Sequence, residues 1–91
     1  MWDVKQKIRQ LLESTGTTTG QLAAQMRERG DTTVQGSQIR RALLDEDGMP
    51  SPLWTRRLLM CLEILTEVQE RQNSEIRAAL KRADKALSQA V

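Results

Sequence analysis

The sequence predicts an all-α domain of four to five helices with a C-terminal helical extension. Three observations lead there. Pro and Gly are few, at two and five of 91 residues, while Leu and Ala are frequent and β-branched residues are scattered. Apolar residues recur at spacings of three and four, the period of a helix face. Capping residues punctuate the runs where helices would start and stop.

The first helix begins at Asp3, which with Gln6 fits an N-terminal capping pattern. Val4, Ile8, Leu11 and Leu12 follow at helical spacing, and Gly16 can take the left-handed conformation that ends a helix. The second helix lies in "TTTGQLAAQMRERG": Thr18 and Gln21 form a capping-box pair, Leu22, Ala23 and Met26 share a face, and Gly30 stops it. Asp31, Thr32 and Thr33 make a turn. All three are natural caps, so the start of the third helix is open by several residues.

The third helix lies in "TVQGSQIRRALLDEDG", with Ile39, Ala42 and Leu43 on one side. It ends by Asp45, Glu46 and Asp47, whose charges sit badly at the negative end of a helix. The fourth opens at Ser51-Pro52, an N-cap followed by the residue best suited to the first helical position. Leu58 to Leu62 are apolar nearly all round, so this helix is the expected central core element. Asn73-Ser74 either breaks it or lets it pass. Beyond, Ile76, Ala79, Leu80, Ala83, Ala86 and Leu87 form a stripe that keeps a seven-residue repeat for about two heptads. The stripe is expected to pair two copies of the chain, with docking onto the chain's own core as the alternative. The organisation is therefore residues 1–72 as one domain and 73–91 as a dimerisation or core-docking element.

Composition limits function. A chain of this length buries only about 60–65% of its unfolded surface, so its core is small and a dimer interface would help. The formal net charge is +2, but the basic excess is local, at Lys5, Lys7, Arg9, Arg27 and Arg29, with the pairs Arg40-Arg41 and Arg56-Arg57. There is no His, and the one Cys, Cys61, sits in "LLMCLEIL", so a buried thiol is expected and no metal or cofactor is implied. The longest apolar run is far too short to span a bilayer, and no signal peptide is visible, which fits a cytoplasmic protein. Catalysis is not expected. Without His, general bases would have to be carboxylates, and Asp45, Glu46 and Asp47 have no nucleophile, metal-ligand spacing or phosphate loop beside them. Single-strand binding is disfavoured by a chain whose only aromatics are Trp2 and Trp54. Trp54 is expected in the core, and Trp2 at a core edge or interface.

The order of these segments carries a resemblance. "QLAAQM", a turn, "VQGSQIRRAL" and "DGMPSPLWTRRLLMCLEIL" together resemble the helix-turn-helix of the lambda-repressor-like (Cro/C1, XRE-type) family over residues 4–66. Leu22-Ala23 match the pair that packs the second helix, Val34 the small apolar turn residue and Ile39 the buried β-branched residue of the recognition helix. Gly48, Pro50, Ser51 and Leu53 match the exit into a capped fourth helix. One departure is clear: Ala23 and Val34 are eleven positions apart, and "RERGDTT" looks inserted into a turn that the family keeps shorter. Such spacing also occurs in winged-helix proteins, but a wing needs a hairpin where this sequence is helical.

The resemblance implies a dimeric regulator of bacterial or phage type, repressor-like and nucleoid-associated, that binds an inverted repeat in double-stranded DNA. With Ile39 inward, Ser37 and Arg41 fall almost opposite it and Gln38 and Arg40 on the flanks. Arg can grip guanine O6 and N7, and Gln adenine N6 and N7, so Ser37, Gln38 and Arg41 are the candidate base readers. Thr18, Thr19, Gln21, Arg27, Arg29, Gly36 and Arg40 are the candidate phosphate contacts. The candidate dimer interface is Ile76, Ala79, Leu80, Ala83 and Leu87. Leu44 also falls outside, where it would touch a thymine methyl or another chain. The rival is a helical adaptor or inhibitor that binds a host protein and keeps the helix-turn-helix as scaffold. Near-neutral charge, the long loop and the apolar stripe favour it.

Overall fold

The structure is a computed structural model that describes residues 4–45, 48 and 50–89. It is all-helical: α1 is Val4–Thr15, α2 Thr19–Glu28, α3 Gly36–Leu44 and α4 Pro52–Gln89. The expectations for Trp2, Asp3, Glu46 and Asp47 fall outside the described residues. No helix among those described is long and apolar enough to cross a membrane.

The local signals act where the sequence places them. Gly16 and Gly30 hold φ of +69° and +111°, a region costly for residues with a Cβ, and each follows a helix end. The Thr18 hydroxyl accepts from the Gln21 N–H at 3.1 Å, while the Gln21 side chain accepts from the Thr18 N–H at 3.0 Å, a complete capping box. The Ser51 hydroxyl accepts from the Trp54 N–H at 3.3 Å and so caps α4, with Pro52 as its first residue. The start of α3 is less conventional. Asp31, Thr32 and Thr33 all precede it, and Gln35 is the cap, its N–H donating to the Gln38 side chain at 3.1 Å.

The core forms where four apolar faces meet. Ile8 and Leu11 come from α1, Leu22, Ala23 and Met26 from α2, Val34 from the loop, Ile39 and Leu43 from α3, and Leu58, Cys61, Ile64 and Leu65 from α4. Val4, Leu12 and Trp54 are half-buried against them. Each large side chain contributes about 1.5–3 kcal/mol by leaving water. α1 packs chiefly on α4, and α2 on α3 and α4, so α4 is the central element.

Two basic side chains join this packing rather than the solvent. Lys5 is only 8% exposed, and its ammonium donates to the Asp45 and Gly48 carbonyls. Arg9, one turn later, donates to the Leu43 carbonyl at 2.6 Å. These cations therefore occupy the C-terminus of α3, where the last carbonyls lack helix partners and the dipole is negative.

α4 does not stop at Asn73-Ser74. It runs for 38 residues, about 57 Å at 1.5 Å per residue, and accounts for the 60 Å long dimension of the molecule. The Gln72 amide donates to the Thr15 carbonyl at 2.9 Å, tying α4 to the end of α1. From residue 73 to 89 every side chain is exposed, so within one chain the last part of α4 is a free stalk and does not fold back on the core.

Candidate nucleic-acid interface

The outer face of α3 carries the row expected of it. Ile39 is fully buried and Leu43 nearly so, which turns Ser37, Gln38, Arg40 and Arg41 to the exposed side. Leu44 stands on this outer side as well, 67% exposed. Gln38 and Arg41 also line a cleft of about 490 Å³ shared with Lys5, Asp45, Ser51 and Trp54.

The first turns of α2 and α3 lie against each other. A Cβ added at Gly36 would come within 2.9 Å of both the Cα and the N of Gly20. Only a residue without a side chain lets the two backbones meet this closely. Gly36 therefore serves first as the contact that seats α3 on α2. Each first turn also leaves donors over. The capping box uses the Thr18 and Gln21 N–H groups, and the Gln35 and Gln38 N–H groups are engaged in the cap of α3. The Thr19, Gly20, Gly36 and Ser37 N–H groups have no partner among the described residues. Two positive helix ends thus meet in the first turns of α2 and α3 with the Thr19, Gly36 and Ser37 N–H groups unused, while the Gly20 N lies against Gly36.

The remaining candidates separate. Arg40 is exposed on α3. Arg27 donates to the Val34 carbonyl at 2.9 Å and ties the end of α2 to the loop. Arg29 forms an ion pair with Glu67 on α4. That hydrogen bond, helped by the nearby charge, holds the Glu67 carboxyl below the usual carboxylate range and raises Arg29. Its charge is already matched, and it points to α4 rather than to the shared edge of α2 and α3.

Sequence reasoning missed the residue that positions this edge. Arg57 reads as half of a basic surface pair, yet it is 7% exposed. Its guanidinium bonds both carboxylate oxygens of Asp31, at 2.8 and 3.1 Å, and the Thr33 hydroxyl at 3.0 Å. It also lies 4.9 Å from the centroid of the Trp54 ring, within cation–π range. The seven residues between α2 and α3 are therefore pinned to α4, with Val34 fully buried at their end. The available signal was position: Arg57 precedes Leu58, Cys61, Ile64 and Leu65 on the buried side of α4.

Cys61 is buried beside Met26, its thiol 3.6 Å from the thioether. Burial pushes its pKa up to about 12, so it remains an uncharged packing group. No protein family, curated protein or solved structure matches the chain.

Proposed function

We propose that the chain is a helix-turn-helix, repressor-type regulator that binds an inverted repeat in double-stranded DNA as a dimer. On this reading it is a lambda-repressor-like protein of bacterial or phage type, acting at the nucleoid. α2 and α3 are the two helices of the motif and α3 is the recognition helix. The observation that carries the reading is the shared edge of α2 and α3. Unused backbone N–H groups there suit phosphate oxygens, and Ser37, Gln38 and Arg41 stand on the exposed face of α3, the face that a recognition helix turns to a major groove.

In this assignment Thr19, Gly36 and the capped turn of Thr18 and Gln21 meet the backbone, and Arg40 meets a phosphate on the groove wall. Arg27 contributes by holding the loop. Arg29 would have to leave Glu67 to reach DNA, so its part is the smallest. The clamp from Arg57 answers the unusual length of "RERGDTT": a long connection can still set one angle between two helices if it is fixed.

A second reading has its own support. The cleft beside Gln38 and Arg41 includes Trp54 and Leu58, and Leu44 stands exposed on α3, a combination that suits a protein partner. Selection of bound duplexes from a randomised pool, repeated over a range of salt, separates the two. The DNA reading expects one enriched site with two-fold symmetry. The adaptor reading expects none.

A further inference from the structure

We infer that the stalk at the end of α4 pairs antiparallel with the stalk of a second copy, in one register. The inference concerns residues 74–89 alone and holds whether or not α3 reads DNA.

The stalk has an unpartnered apolar face. Ile76, Leu80 and Leu87 are 57, 64 and 70% exposed, and Ala83 completes their spacing of four, three and four. This is the a/d seam of a coiled coil, with Ile76 and Ala83 at d and Leu80 and Leu87 at a. Two arrangements of identical helices are available. In the parallel one, like faces like, and Ala83 on Ala83 leaves a gap between layers of larger residues. In the antiparallel one, a faces d. Leu80 then packs on the second copy's Ala83, and Ile76 on its Leu87, each contact repeated by the two-fold axis. Large meets small at the centre, and the volume of the seam stays even.

Charge chooses the same arrangement. Arg77 and Asp84 occupy the e positions on one edge of the seam, seven residues apart. Among the described residues neither has an ion-pair partner. The antiparallel register brings Arg77 alongside the second copy's Asp84, and Asp84 alongside its Arg77. On the opposite edge Ala79 meets the second copy's Ala86, and neither holds the helices apart. In the parallel arrangement the e positions face Gln72 and Ala79, and both charges are left without partners. Exposed pairs add little affinity, but they select orientation.

The test uses the full chain and two variants, Arg77→Asp and Asp84→Arg. Each turns both inter-copy pairs into like-charge pairs, and each position is exposed, so helix content by circular dichroism is expected to stay unchanged. Sedimentation across micromolar to sub-millimolar concentrations is expected to show self-association of the wild type that is roughly tenfold weaker in either variant. An equimolar mixture of the two restores both pairs and is expected to associate about as well as the wild type. A monomeric wild type over that range overturns the second copy as the partner. Variants that associate like the wild type, or a mixture no better than its components, overturn the antiparallel register.

Discussion

Arg57 on α4 holds Asp31 with two hydrogen bonds, Nε to Oδ2 at 2.8 Å and Nη2 to Oδ1 at 3.1 Å. The two side chains are only 8 and 16% exposed, so solvent screens the pair little. Removing one partner strands the other's charge. Arg57→Ala is expected to destabilise the fold by about 2–4 kcal/mol in urea denaturation. Lys at this position recovers only part of that, since it cannot make the two-pronged bond. A double-mutant cycle with Asp31→Asn is expected to show coupling above about 1 kcal/mol. Additive effects would mean the pair does not pin the loop.

Gly36 and Gly20 face each other but differ in tolerance. Gly36→Ala places a Cβ 2.9 Å from the backbone of Gly20, which cannot give way cheaply. It is expected to cost about 1–3 kcal/mol by overpacking. A Cβ at Gly20 meets only the Thr18 hydroxyl, at 3.8 Å. Gly20→Ala is therefore expected to be neutral or to stabilise α2 by up to about 1 kcal/mol, because Ala is the better helix former. Thermal melts of the two variants read the difference directly.

Much of this was legible because it is local. Capping by Thr18 with Gln21, the left-handed Gly16 and Gly30, and the Ser51-Pro52 start depend on neighbours within a few residues. So does the inward turn of Ile39, which follows from helical period alone. Arg57 was not legible, because its partner is 26 residues away and an Arg beside an Arg reads as surface. Lys5 and Arg9 were missed for the same reason: nothing nearby says that α1 crosses the end of α3. The start of α3 misled because Asp31 and Thr33, both good caps, are drawn instead into the Arg57 clamp. The outer row of α3 was readable as a row, but its juxtaposition with the first turn of α2 depends on how the long loop is folded back.

The cations of α1 make a further test. Lys5→Met keeps the length of the stem but removes the donor to the Asp45 and Gly48 carbonyls. It is expected to destabilise by about 1–2 kcal/mol, the penalty for leaving partly buried carbonyls unsatisfied at a negative helix end. Unchanged stability would show that water replaces the ammonium there.

Cys61 predicts a pH dependence. The folded thiol holds its proton to about 12, while the unfolded thiol loses it near an ordinary cysteine value of about 8.5. The folded state thus binds more protons above that value, and stability falls as pH rises from there toward about 12. Below it, Cys61 contributes no slope. At neutral pH a thiol reagent is expected to label Cys61 only as fast as the protein opens, with labelling accelerated by urea.

The most direct measurement of the central proposal is the affinity of the wild type and three α3 variants for selected and random duplexes as salt is varied. Arg41→Ala and Gln38→Ala are each expected to cost about 1–3 kcal/mol on the selected site and to relax preference at one position. Arg40→Ala is expected to weaken binding to every duplex alike and to lower the salt slope by about one unit. The two arginine variants should melt as the wild type does, since their side chains point away from buried Ile39 and Leu43. Gln38→Ala also removes the acceptor of the Gln35 N–H and is expected to cost about 0.5–1 kcal/mol of stability, so its affinity is compared at a temperature where it is fully folded. A wild type with no preferred duplex even at low salt, together with arginine variants that abolish capture of a protein partner, would contradict the DNA reading and make the outer face of α3 a protein-docking surface.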